Sequence, residues 1–95
     1  MDQDFSSLDL LESVHTFPGP YQIKVIGAAD NGFIDRVLAA VVSQLATPGD
    51  VEHTVRSTPG GRHVSVTFEL QVQSAQQVRD IYAAIRPVEG VAFLL

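Results

Sequence analysis

Residues 62 to 73 alternate almost without a break. Val64, Val66, Phe68, Leu70 and Val72 fall on one side of an extended chain, and His63, Ser65, Thr67, Glu69 and Gln71 on the other. A period of two belongs to a strand with one buried face. The same period runs through residues 21 to 28, where Ile23 and Val25 oppose Gln22, Lys24 and Ile26. Between residues 31 and 46 the period becomes helical. Ile34, Val37, Leu38, Val41 and Leu45 follow the i, i+3, i+4, i+7 rule, and Asp35, Arg36, Ser43 and Gln44 lie mostly off that stripe. A second helical stripe, Val78, Ile81, Tyr82 and Ile85, follows Ser74 and Gln77 and stops before Pro87. The spacing of Ser74 and Gln77 is that of a capping box.

The remaining segments complete the order. Residues 51 to 57 read as a strand joined to the next by T-P-G-G, with Pro59 and Gly60 suited to the centre of a tight turn. With that turn as the pivot, Val55 is expected opposite Val64 and Val51 opposite Phe68. Arg56 then stands beside His63, Thr54 beside Ser65 and Glu52 beside Thr67. The terminal V-A-F-L-L reads as a last strand. At the other end, Leu8, Leu11 and Val14 suit a short amphipathic helix capped by Ser6 or Ser7, and F-P-G-P at 17 to 20 interrupts it. The expected organisation is an N-terminal segment, 1–16, and one domain, 17–95. Its order is βαββαβ, an α+β ferredoxin-like sandwich in which a four-stranded antiparallel sheet carries two helices on one face. Right-handed crossovers pair the first strand with both the third and the fourth. The other face of the sheet is left open.

Composition narrows the function classes. Ninety-five residues are enough for a single core. The absence of cysteine removes disulfides, thiolate metal sites and thiol catalysis, and suits a reducing cytoplasm. A formal net charge of −5 repels phosphate backbones and anionic lipid, so neither nucleic acid nor a membrane surface is expected as a partner. No apolar run approaches the ~20 residues of a membrane span, and the acidic start differs from the basic opening of a secretory signal. A cytoplasmic protein is expected.

Candidate chemistry is sparse. Asp30, Asn31, Gly32 and Phe33 form the step from strand to helix. One reading is a ligand-binding loop, with helical N–H groups offered to a small acid and a glycine allowing close approach. The other is a turn in which Asp30 or Asn31 caps the helix and Gly32 eases the bend. His53 is expected to be a semi-buried packing residue facing Val66. His63 lies on the open face, and His15 in the N-terminal segment. With His53 and His63 on opposite faces no metal site is expected. Ser65 and His63 share a face, but no carboxylate is placed to orient the histidine, so an enzyme using this pair ranks last. Strands one and three show no outward aromatic, which disfavours RNA binding. Ile26, with Ala92 or Leu94, is expected to form a mild apolar patch, and the second strand an open edge; either suits a protein contact or a homodimer seam.

Several of these stretches together resemble one family. F-P-G-P-Y-Q-I-K-V-I-G, G-G-R-H-V-S-V-T, S-A-Q-Q-V-R-D-I-Y-A-A-I and V-A-F-L-L are similar to segments of the YbeD-like proteins, small bacterial proteins without an assigned activity. The resemblance covers about residues 14 to 95. It implies a βαββαβ fold like that of the ACT regulatory domain, and some family members carry the label of lipoate regulatory protein. ACT domains commonly bind amino acids at the turn after the first strand, often across a dimer seam, and Asp30-Asn31-Gly32-Phe33 is similar to that turn. The resemblance therefore implies a free-standing, non-enzymatic regulatory or interaction module without a cofactor. A small acid or amino acid at residues 30 to 33 is its implied ligand. The alternative is a homo-oligomeric interaction protein with no ligand.

Overall fold

The computed structural model describes residues 16–30, 32–45 and 51–95. The short helix expected through Leu8, Leu11 and Val14, and His15 after it, lie outside the described residues. Four strands and two helices follow one another as β1 (Gly19–Ala28), α1 (Phe33–Val42), β2 (Glu52–Ser57), β3 (His63–Val72), α2 (Ala75–Ile85) and β4 (Val91–Leu94). The strands form one antiparallel sheet in the order β2-β3-β1-β4. This is the expected βαββαβ arrangement, with β1 and β3 central.

β1 and β3 pair along their full lengths, from Gly19 opposite Val72 to Ala28 opposite His63. Their alternation therefore coincides, and one face of the pair is continuously apolar. Ile23 and Val25 from β1, with Val66, Phe68 and Val72 from β3, are fully buried there. They meet Phe33, Val37 and Val41 of α1 and Val78, Ile81 and Ile85 of α2, also fully buried. Each such side chain contributes roughly 1.5–3 kcal/mol by leaving water. Ile34 and Leu38, expected on the core stripe of α1, lie at its margin, and Phe33 takes the central place. No helix among the described residues is long and apolar enough to cross a membrane.

The cap of α2 is close to expectation. The Gln77 N–H donates to Ser74 Oγ at 3.1 Å. The return bond to Gln77 Oε1 comes from the N–H of Gln73, at 2.7 Å, one residue before the cap. Gln77 Nε2 also donates to the Gln44 carbonyl at 3.1 Å, just past the end of α1. One side chain thus serves the start of one helix and the end of the other. α1 stops at Val42, short of the expected Ala46.

The β2–β3 hairpin differs from expectation by two residues. Val55 stands opposite Val66, His53 opposite Phe68, Arg56 opposite Ser65, Thr54 opposite Thr67 and Glu52 opposite Glu69. Pro59 and Gly60 do form a tight turn, closed by the Gly61 N–H on the Thr58 carbonyl at 2.9 Å. That turn is not the pivot of the hairpin. Gly60 and Gly61 both have positive φ, 90° and 74°, and Gly61 and Arg62 prolong the loop. Pairing resumes at Thr58, whose N–H and Oγ1 both donate to the His63 carbonyl, at 3.0 and 3.1 Å. Two adjacent glycines supplied the extra length. A slip of two leaves every side chain on its expected face but changes its neighbours.

β2 lies at the sheet edge, beyond the cover of the helices, and all its residues are exposed. His53 is therefore exposed rather than semi-buried, with its ring 6.0 Å from that of Phe68. On the opposite edge, Leu94 pairs with Val25 and packs on the core, while Phe93 pairs with Ile26 on the open face. The apolar neighbour of Ile26 is thus Phe93, not Ala92 or Leu94.

Candidate functional site

The turn from β1 to α1 is built on contact between backbone and ring. A Cβ on Gly27 would strike both the Phe33 ring and the Gly90 carbonyl oxygen. Only glycine lets β1 pass this close. The end of the strand is then held from both sides. The Ala28 N–H donates to the Gly90 carbonyl at 3.0 Å and the Ala29 N–H to the Arg62 carbonyl at 3.1 Å. The four residues read as a ligand loop have different surroundings. Asp30 accepts from Arg36 through both carboxylate oxygens, at 3.3 and 3.2 Å. Asn31 lies outside the described residues. Gly32 is the N-cap of α1, with φ 98°, and among the described residues no side chain accepts from the first turn. Phe33 is fully buried.

The expectation that Asp30 caps the helix is thus corrected, because Gly32 holds the N-cap position; the alternative, Asn31, falls on a residue outside the described ones. The left-handed backbone that Gly32 adopts brings its own carbonyl to the Arg36 N–H, at 2.9 Å. The Asp30 carboxylate goes to the guanidinium instead. Arg36 was not singled out by sequence, yet it organises the turn. Besides Asp30 it donates to the Glu89 carbonyl at 3.0 Å and lies 5.9 Å from the centre of the Phe33 ring. Its Nε is buried and unpartnered among the described residues. The pair with Asp30 is half-exposed, so it adds at most about 1 kcal/mol to stability. Its larger effect is to tie the first turn of α1 to the segment leading into β4. No local spacing announces a bond between residues 53 positions apart.

The open face is read across the strands. Arg56, Ser65, Ile26 and Phe93 form one row; Thr54, Thr67 and Lys24 form the next. Lys24 and Leu95 exchange both backbone hydrogen bonds, at 3.0 and 2.8 Å, which places Leu95 at the end of that second row. Phe93 and Leu95 are 63% and 65% exposed, so the β4 corner of this face is apolar and open. The β1–β3 half is polar, and there Gln22 Nε2 donates to the Glu69 carboxylate at 2.6 Å. Phe93 was hidden from sequence reading because V-A-F-L-L is apolar throughout and does not say which residues face outward.

His63 is exposed on this face opposite Ala28, whereas Ser65 stands between Arg56 and Ile26. No hydrogen bond joins His63 to Ser65. His53 and His63 are on opposite faces of the sheet. Among the described residues no three His, Asp or Glu side chains converge as metal ligands.

Comparison with known proteins agrees with the architecture. The profile of a family described as "Protein of unknown function (DUF493)" matches residues 12–95. A UPF0250 protein of Shewanella frigidimarina is 36% identical over 84 residues, covering 88% of this chain and 93% of the relative. A UPF0250 protein of Shewanella sp. strain ANA-3 is 35% identical over 79 residues, covering 83% and 88%. Among solved structures, the ACT domain from the GTP pyrophosphokinase of Chlorobium tepidum superposes with a TM-score of 0.61 at 17% identity. It covers 81% of this chain and 95% of that domain. At that identity the likeness concerns the fold. The resemblance to YbeD-like proteins and the ACT-like fold it implied are both borne out.

Proposed function

The chain belongs to the DUF493 family, and on that footing we propose that it is a non-enzymatic, ACT-like interaction module that seats a partner protein on the β4 corner of its open sheet face. The observation that carries this reading is the exposure of Phe93 and Leu95 beside Ile26. An apolar cluster on a sheet face, carried by an edge strand, is a surface that association would bury. A photo-crosslinking residue placed at position 93, and for comparison at the exposed Arg79 of α2, tests it in cells. Crosslinked protein adducts are expected from position 93 and not from position 79. Equal yields, or none at 93, overturn the reading. An adduct of twice the chain mass identifies the partner as a second copy, which is the homo-oligomeric form of this proposal.

A second reading is favoured by the first turn of α1, where among the described residues no side chain accepts from the backbone. A small acid or amino acid would meet those N–H groups at Asp30, Asn31, Gly32 and Phe33. At a hundred times its dissociation constant such a ligand adds ~2.7 kcal/mol to stability. Thermal unfolding with a panel of amino acids and small carboxylic acids should then show a midpoint raised by roughly 10 °C. The rise should vanish in a folded Gly32→Val variant, and a flat response across the panel removes this reading.

A further inference from the structure

Beside the apolar corner, in the same two rows but towards β2, the open face carries a depression of about 190 Å³ lined by Lys24, Thr54, Val55, Arg56, Ser65 and Thr67. The register explains its chemistry. Thr67 and Ser65 project from the central strand β3, two residues apart. Lys24 flanks Thr67 from β1, and Arg56 flanks Ser65 from β2. Two strand spacings and one two-residue step separate the Lys24 and Arg56 backbones by roughly 12 Å. That span is short enough for two long cationic side chains to reach a common point above the hydroxyls. Thr54 closes the β2 side.

The polar lining thus consists of two cations and three hydroxyl groups, with no carboxylate. The chain has only six Lys and Arg residues against eleven Asp and Glu. In so acidic a molecule two neighbouring cations would be expected to hold carboxylates of the chain itself. None of the five polar side chains has a hydrogen-bond or ion-pair partner among the described residues. Glu69 and Glu52, the nearest acids on this face, stand one row further along, and Glu69 is engaged by Gln22. By contrast Arg36, at the other candidate site, has its carboxylate.

We infer that this depression is a binding site for one oxyanion group, the phosphate or carboxylate of a small molecule. Lysine supplies a point charge, arginine a planar fork of donors, and the hydroxyls rotate to donate to the remaining oxygens. Sites for whole drug-sized molecules occupy about 300–1,000 Å³. A volume of about 190 Å³ suits a single anionic group with little attached. The site shares no side chain with Phe93 and Leu95, so it stands or falls independently of the proposed protein contact.

The test is a titration of the isotopically labelled full chain with inorganic phosphate and, separately, with acetate, at constant ionic strength, followed by amide chemical shifts. Saturable shifts centred on Lys24, Thr54, Arg56, Ser65 and Thr67 are expected with at least one anion. Saturation by phosphate alone identifies a phosphate-bearing ligand, and saturation by acetate alone a carboxylate. K24Q/R56Q should weaken binding by about tenfold or more while the spectrum keeps its dispersion. Thr67→Val, which keeps the side-chain shape, should weaken it by a smaller factor. Shifts spread over the surface, shifts that never saturate, or equal affinity in K24Q/R56Q overturn the inference.

Discussion

β1 and β3 present two faces made from the same residues taken alternately, and the two faces obey different rules. On the helix side Ile23, Val25, Val66, Phe68 and Val72 have no exposure at all. On the other side their immediate chain neighbours, Gln22, Lys24, Ser65, Thr67 and Glu69, meet water. A buried face is specified by each residue's own hydrophobicity. An open face is specified by which residues stand side by side across strands. The first property belongs to the chain, the second to the register. The covered face should therefore be sensitive to single changes, and the open face tolerant of them in stability though not in binding.

The sharpest way to break this contrast is to cut adjacent residues of one strand. Phe68→Ala removes the ring at the centre of the core and should destabilise the protein by about 3–5 kcal/mol. Thr67→Ala, one residue away on the opposite face, should fall within roughly 0.5 kcal/mol of wild type. Urea unfolding of both variants measures the difference. Comparable losses would mean that the open face is packed against something in the isolated protein.

The same contrast explains what was legible in the sequence. The period-two runs in β1 and β3 and the helical stripes reported the fold and most of the core, because burial demands the same residue types whatever the neighbours. The pairing of β2 with β3 was missed by two residues, because T-P-G-G offers a tight turn at Pro59-Gly60 while Gly61 can also adopt the left-handed backbone. Both alignments bury the same face, so hydrophobicity could not choose between them. The candidate sites suffered most. The row of Arg56 with Ser65 and that of Thr54 with Thr67 depend on that slip, and Phe93 depends on which residues of an all-apolar strand turn outward. At the β1–α1 step, sequence pointed to Asp30 and Gly32 but not to Arg36, whose partners lie far along the chain.

Where the covered face reaches its limit of close packing, the contrast can be tested with an addition rather than a deletion. Gly27 lies between the Phe33 ring and the Gly90 carbonyl, and both would collide with a new Cβ. Gly27→Ala should destabilise by about 1–3 kcal/mol, as overpacking usually does. Gly60→Ala is the control, since nothing lies within 4 Å of its Cβ position and only its φ of 90° opposes the change. Thermal unfolding midpoints should rank Gly27→Ala well below Gly60→Ala. The reverse order would mean that the Phe33 ring moves freely and does not fix the turn.

The smallest expected effect concerns a polar pair at the rim of the covered face. The rings of Tyr21 on β1 and Tyr82 on α2 meet edge to face with centroids 6.5 Å apart. Burial first, then the hydrogen bond to Tyr21 and the charge that Tyr21 would carry, push the Tyr82 phenol well above its ordinary value of 10.0. A phenol whose folded pKa is raised is held neutral by the fold. Its contribution is complete below the unfolded value and declines as pH rises above about 10, where the unfolded chain ionises and the folded one does not. Wild-type stability should thus fall steadily as pH rises above about 10. Tyr82→Phe should be less stable by about 1 kcal/mol at pH 7, having lost one hydrogen bond, and should show a shallower alkaline decline. Urea unfolding at pH 7, 10 and 11 distinguishes the two slopes. Parallel curves would mean that Tyr82 ionises as readily folded as unfolded, and that water reaches the rim of the covered face as it reaches the open one.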